Sequence, residues 1–310
     1  MSSVNVIVQL IASMLALATP LIFAALGGVF SERSGVVNLG LDGMMVMGAF
    51  FSVYGSHVSG SPYVGILFAV IAGCLIALLH AFLSISLKAD QTISGTAINL
   101  FATALAAFLI LKLFHKGGQT DGVNPLPYHV AGWLRNIPVL GSLFDGLNWF
   151  VFLAIAAVII SHFVLYKTAW GLRVRSVGEH PKAADTLGIN VYKTRYICVA
   201  ISGILAGIGG AALTLGSVPL YSDGMVSGRG FIALAAVIFG NWKPVGSFLA
   251  CLLFSLAQAV QLKSQLLGLN LPSELYSVFP YLVTMIALAG FVKKTQPPAA
   301  DGIPYEKGQR

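Results

Sequence analysis

The chain has 310 residues, 57% of them hydrophobic and only 9% charged, with a mean hydropathy of +0.85. About a quarter of the residues in a soluble domain are charged, so this composition excludes an ordinary globular enzyme and points to an all-α polytopic membrane protein. A net charge of +7 raises the question of nucleic acid, but the basic residues gather in one central loop and the tail, as the positive-inside rule predicts.

In chain order, residues 4–30 carry no charge and are long enough to cross a bilayer, for which about 20 residues suffice. Their length and the lack of a basic leading region argue against a cleaved signal peptide. Glu32 and Arg33 follow, and then an apolar segment, 36–54, interrupted by Gly40, Asp42, Gly43 and Gly48. Further spans are read at 63–87, 93–113 and 149–166, with a proline-bearing loop at 115–148. A sixth span, 196–215, repeats small residues every four positions, as Gly203, Gly207 and Ala211 and again as Ser202, Ala206 and Gly210. Such stripes let helix backbones approach closely in a bilayer. Residues 231–239 are apolar but too short to span, which predicts a re-entrant or broken helix that must be buried in protein or line a cavity. Spans at 245–262 and 276–292 bring the expected count to about 8–10 membrane segments. The chain thus reads as a transmembrane domain, 1–292, and a polar tail, 293–310, expected to be loose. Cys74, Cys198 and Cys251 lie in apolar runs without paired spacing and read as small core residues, with neither a disulfide framework nor a zinc site.

The stretch 167–195, KTAWGLRVRSVGEHPKAADTLGINVYKTR, is the long polar segment between two apolar blocks. It contains a short helix marked at both ends: Pro181 suits the first helical position and Gly188 the residue just past the end. Two turns of helix do not persist alone in water, so this one must dock, and Ala183, Ala184 and Leu187 fall on a face that could do so. Lys167, Arg173, Arg175, Lys182, Lys193 and Arg195 outnumber Glu179 and Asp185 here, while the 115–148 loop holds Lys116 and Arg135. The central loop is therefore expected in the cytoplasm, with the tail beside it through Lys293 and Lys294, and the N-terminus outside.

Catalytic signatures are absent: the sequence has no phosphate-binding Gly-rich loop, HExxH or GxSxG. Three runs carry a resemblance instead. GLRVRSVGEHPKAADTLGINVYKTR continuing into YICVAISGILAGIGGAAL, ERSGVVNLGLDGMMVMGAF at 32–50 and GRGFIALAAVIFGNWKPVGSF at 228–248 resemble bacterial ABC importer permeases of the branched-chain amino acid, ribose and nucleoside type, closest to the nucleoside and simple-sugar branch. That resemblance implies a multi-pass subunit of the bacterial plasma membrane, without enzymatic activity and without a cofactor of its own. It further implies a second related permease, an ATPase with two nucleotide-binding cassettes that holds ATP and Mg, and a substrate-binding lipoprotein or periplasmic protein delivering nucleosides. Carried over, Glu179, His180, Pro181, Lys182, Ala183, Ala184, Leu187 and Gly188 form the coupling element in a cleft of the ATPase. A simple sugar or a branched-chain amino acid is the alternative substrate, and an ion-coupled secondary transporter the alternative class.

Asn38 and Asp42 are four residues apart and would share a helix face in a glycine-broken segment of the kind where carriers meet polar substrates. Asp42 has two readings, a residue of the translocation path or the cap of a helix start with Arg33 close by. Asn99 either meets a sugar hydroxyl or base edge, or makes an interhelical hydrogen bond. Phe50, Phe51 and Tyr54 could stack on a base or simply pack.

The charge asymmetry makes a labelling experiment decisive. With the native cysteines replaced, a cysteine at Asn124 is expected to react with an impermeant thiol reagent on whole cells, and one at Lys182 only after permeabilisation. The reverse pattern would overturn the orientation.

Overall fold

The computed structural model describes residues 3–127, 147–266 and 295–307, together with Val278 and Leu282. Among the described residues ten α-helices follow in order: α1 (Ser3–Arg33), α2 (Leu41–Ser59), α3 (Pro62–Ala81), which runs on into a π-helical turn at Phe82–Ser86, α4 (Gln91–Phe114), α5 (Trp149–Lys167), α6 (Ala169–Glu179), α7 (Pro181–Thr186), α8 (Val191–Thr214), α9 (Arg229–Phe239) and α10 (Pro244–Leu266). Among the described residues, six helices are long and apolar enough to cross a membrane: α1, α3 with its π turn, α4, α5, α8 and α10. The expected segment at 36–54 is replaced by a loop, 34–40, and a 19-residue α2. The short segment is α9, whose 11 residues reach roughly 16 Å, about half a hydrocarbon core. The span expected at 276–292 lies outside the described residues.

Local chemistry sets the boundaries. Asp90 caps α4 by accepting from the amides of Thr92 (2.8 Å) and Ile93 (2.9 Å), and Asn190 caps α8 through the Lys193 amide at 2.9 Å. Pro62 and Pro181 open α3 and α7, positions where a missing amide costs nothing. Thr168 separates α5 from α6, its hydroxyl accepting from the Gly171 amide at 3.1 Å and donating to the Val164 carbonyl at 2.6 Å. Sequence reasoning missed α6; the available signal is this cap together with Val174 and Val177, both buried on one face.

At the centre stand α1, α2 and α8. From Ala18 to Phe30 every apolar side chain of α1 is almost fully covered, and most of α2 is buried. Helices α3, α4 and α5 surround them with exposed outer faces of Leu67, Ile71, Leu75, Leu100, Phe108, Ile159 and Phe163, which suits lipid and not water. The stripe of small residues on α8 works as its spacing predicts. A Cβ on Gly73 of α3 would lie 2.2 Å from the Gly203 carbonyl oxygen, one on Gly48 of α2 2.5 Å from the Gly207 Cα, and one on Gly210 2.2 Å from the Met45 carbonyl oxygen. Helices α2 and α3 thus touch α8 backbone to backbone.

The two ends of the bundle differ. Near Thr214 the chain 118–126 is zipped to 215–223 by bonds from Thr120 to Tyr221, Val123 to Pro219 and Leu126 to Leu215 of 2.8–2.9 Å. At the other end of α8, whose 24 residues span roughly 36 Å, α6, α7 and residues 295–307 assemble. The tail is seated there, contrary to the expectation of a loose one.

Because the contact is between backbones, no rotamer change relieves an added side chain. Gly73→Leu or Gly203→Leu is expected to cost about 1–3 kcal/mol or more, measured as a lowered unfolding temperature and yield of monodisperse protein in detergent. Wild-type stability of both variants would contradict the close approach.

Candidate functional site

The first polar cluster is built where α2 and α9 begin. The loop 34–40 is bonded back to the end of α1 through the amides of Ser34, Gly35 and Val36, and neighbouring helices supply partners further along. The Val37 amide donates to Gln91 Oε1 at 2.7 Å, and the Val37 carbonyl lies 3.0 Å from His80 Nε2. Asn99 of α4 serves the α2 start twice, accepting from the Gly43 amide at 2.7 Å and donating to the Leu39 carbonyl at 2.9 Å. Asn99 stands about 12 Å along α4 from Gln91 at 1.5 Å per residue, so α2 begins well inside the bundle.

Asn38 does not share a helix face with Asp42, as the spacing suggested, because α2 starts at Leu41 and Asn38 lies in the loop before it. It is wholly buried, donating to Ser202 Oγ at 2.9 Å and accepting from the Gly40 amide at 3.1 Å. It therefore pins the loop to the glycine stripe of α8. Asp42, in the first turn of α2, accepts from the Gly230 amide at 2.9 Å. It caps a helix start, but that of α9 and not its own. Arg33 belongs to a different cluster; the cation near Asp42 is Arg229, whose Nη1 donates to the Met225 and Val226 carbonyls at 2.8 and 3.0 Å. Asp42 and Arg229 are both half-buried. Arg229 was missed by the sequence reading, although a charge directly ahead of a short apolar segment was a usable signal. Phe50, fully buried, packs on Phe51, Tyr54, Phe114 and Tyr221, which makes it a core residue.

The second cluster is at the α7 end. Helix α7 has Pro181 in its first turn and closes on Gly188, whose φ of +80° is left-handed. The amides of Gly188 and Ile189 return to the carbonyls of Asp185 (2.9 Å) and Ala184 (3.1 Å), the pair of bonds that satisfies a helix end with glycine just beyond it. Its faces are not as expected. Ala184 is 2% exposed and packs with Val177, Val191 and Tyr305 of the same chain, whereas Lys182 and Ala183 are exposed and Leu187 is 81% exposed. An outer face of Lys182, Ala183 and Leu187 replaces the expected one, since a six-residue helix needs one anchored side to persist.

Around it lies a charged network the sequence did not reveal. Glu179, which ends α6, sits with Oε1 3.7 Å from Arg33 Nη1, and its Oε2 accepts from the Ala299 amide at 3.2 Å. His180 links α6 to α7 and is exposed. Arg33 also donates to the carbonyls of Trp242 (2.7 Å) and Asn241 (3.1 Å) beyond α9, and the Trp242 indole donates to the buried carboxylate of Glu32. Arg195 is 1% exposed and donates to the Ser34 carbonyl at 3.2 Å and the Ile303 carbonyl at 3.0 Å. Burial pushes the Asp301 carboxyl above the usual carboxylate range, against the pull of nearby Arg195, the Gly302 amide and Arg33. The half-exposed Arg33–Glu179 pair contributes about 0–1 kcal/mol. Arg195 matters more, because a buried cation stripped of its acceptors is strongly destabilising.

Comparison with known proteins places these features in one family. Residues 10–288 match the family described as branched-chain amino acid transport system / permease component. The guanosine ABC transporter permease protein NupQ of Bacillus subtilis is 45% identical over 100% of both chains, and the nucleoside ABC transporter permease protein NupC of Lactococcus lactis subsp. cremoris is 44% identical, again over 100% of both. The guanosine ABC transporter permease protein NupP of Bacillus subtilis is 28% identical over 83% of this chain and 72% of its own. The chain is a multi-pass ABC permease component, a transport subunit and not an enzyme, and it belongs to the branched-chain amino acid transport system permease family.

Proposed function

We propose that the chain is the permease subunit of a nucleoside importer, with its N-terminus outside and its C-terminus and α7 in the cytoplasm. The observation that carries the substrate class is identity of 45% and 44% to two nucleoside permeases along the whole of each chain. The partners are a second related permease, an ATPase with two nucleotide-binding cassettes that binds ATP and Mg, and a substrate-binding lipoprotein or periplasmic protein. That NupQ and NupP carry the same description in one organism supports a pair of unlike permeases.

In this reading the outer side of α7, with Glu179 and His180 ahead of it and Leu187 and Gly188 behind it, meets the ATPase. A short helix closed at both ends moves as one body, and the Asn190 cap passes its motion directly to α8. The path runs past the junction of α2 and α9. Two half-buried charges there cannot face lipid at tolerable cost, and paired starts of interrupted helices suit a polar, uncharged cargo. In this reading the Asp42 carboxylate accepts from ribose hydroxyls and Arg229 donates to base acceptors. Asn38 and Asn99 act on the path through the segment they hold.

Uptake of labelled guanosine by cells expressing the complete system tests the substrate class. Competition by nucleosides and none by glucose or leucine is expected; suppression by either of the latter would replace the nucleoside reading. Asp42→Asn keeps the acceptor for Gly230 and removes the charge. It is expected to leave complex assembly intact and lower uptake about 10- to 100-fold, the worth of roughly 1.5–3 kcal/mol for a hydrogen bond to a charged group. Unchanged uptake would assign Asp42 to capping alone. Leu187→Asp alters an exposed side chain, so stability should stay within about 0.5 kcal/mol while the ATPase no longer co-purifies. Retention of the ATPase with normal uptake would sink the coupling assignment.

A further inference from the structure

The role of residues 295–307 is assigned by nothing above. A polar segment after the last apolar stretch has no burial of its own to hold it, yet this one touches every part of the α7 end in turn. The Gln296 amide donates to Asn241 Oδ1 at 3.1 Å, in the turn between α9 and α10. The amides of Ala299 and Ala300 donate to Glu179 Oε2 (3.2 Å) and the Gly178 carbonyl (2.8 Å), at the end of α6. A Cβ on Gly35 would lie 2.9 Å from the Ala300 carbonyl oxygen, and one on Gly302 3.4 Å from Val37, so the tail also lies against the loop before α2. Ile303 accepts from Arg195 at 3.0 Å and Tyr305 from the Tyr192 hydroxyl at 3.1 Å, both on α8. Glu306 pairs with Lys88 ahead of α4.

Tyr305 is the centre of this strap. It is 6% exposed, its ring meets that of Tyr192 edge-on at 5.5 Å, and with Val177 and Val191 it covers Ala184, the buried side chain of α7. A six-residue helix has no stability in isolation; here the tail supplies part of the surface it rests on. Arg195 extends the connection inward, since its guanidinium joins the tail carbonyl of Ile303 to the Ser34 carbonyl at the start of the loop that leads to Asn38 and Asp42.

We infer that residues 295–307 brace α7 against the transmembrane helices, with Tyr305 and Arg195 as positioning residues, so that displacement of α7 reaches the loop before α2 as well as α8. The inference rests on the reading of α7 as the ATPase contact. Coupling through such a chain of contacts has to be shown by coupling measurements and not by proximity.

The test uses the complete complex in proteoliposomes, with both permeases, the ATPase and the loaded binding protein. It compares wild type, a chain ending at residue 294, Tyr305→Ala and Tyr305→Phe, and measures co-purified ATPase, ATP hydrolysis and nucleoside moved. In the truncated chain and Tyr305→Ala the ATPase should stay bound and hydrolyse ATP, while nucleoside moved per ATP falls roughly tenfold, a usual size for the coupling of two sites. Tyr305→Phe keeps the ring and should restore most of that ratio, which a merely folded or unfolded chain would not reproduce. Should the truncated chain fail to assemble, Tyr305→Ala decides. A wild-type ratio in Tyr305→Ala overturns the brace, and so does release of the ATPase by that variant, which would make the tail a direct docking surface. Leu187→Asp in parallel separates the two readings: if it transports normally the coupling assignment fails, and if it is inactive while the tail variants are normal, the brace alone fails.

Discussion

The constraint on which this structure depends is that a bilayer offers backbone groups no water. A chain that stops a helix inside the bundle, as this one does at both α2 and α9, must provide a partner for every amide and carbonyl it frees. Asn99, Asp42, Gln91 and His80 are such partners, each aimed from a neighbouring element at one frayed end, and Asn38 serves its own loop by accepting from the Gly40 amide. An unmet buried group costs several kcal/mol in hydrocarbon, so these five side chains are what makes two interrupted helices affordable. Under the proposed function the interruption has a use that follows from the same physics: a continuous helix presents little polar surface to a cargo, whereas a broken one does.

Satisfying the backbone locates the interruption, but packing against α8 holds it. The glycines on α8 let α2 and α3 approach until backbone meets backbone, and Asn38 reaches Ser202 within the same stripe. The loop before α2 is thereby fastened to the helix that leads directly from α7. Motion delivered to α8 must move the α2 start with it or break contacts that leave no slack, because close-packed interfaces do not deform gradually.

At the other end the structure solves a different problem, how to present a very short helix rigidly. Neither end of α7 is free: Pro181 and the left-handed Gly188 define its length, Ala184 anchors its inner side, and Arg33 ties the preceding residue Glu179 to the last turn of α1 and to Trp242. Burying Arg195 nearby is costly, and its charge is met from another element, by the Asp301 carboxyl of the tail. The α7 end is therefore coherent only when all of these segments are in place.

How much of this was written in the amino-acid order divides by range. Apolar stretches of bilayer length, the small-residue period of 196–215, the short segment at 231–239, and Pro181 with Gly188 are local patterns, and local physics suffices to read them. The pairing of residues distant in the chain is another matter. Spacing put Asn38 beside Asp42, but tertiary bonds to Ser202, Gln91 and Asn99 hold the loop open and start the helix later, at Leu41. Helical spacing alone placed Ala184 with Ala183 and Leu187 on one docking face, whereas the tail, more than a hundred residues on, supplies Tyr305 to bury it. A polar composition suggested a loose tail, because no propensity scale registers that Arg195, Tyr192 and Gly178 stand in one place to receive it. Sequence by itself determined which segments are membrane-like and where a small helix must begin and end. Only the tertiary structure decided which polar groups meet, because desolvated hydrogen bonds and buried charges are set by neighbours in space and not along the chain.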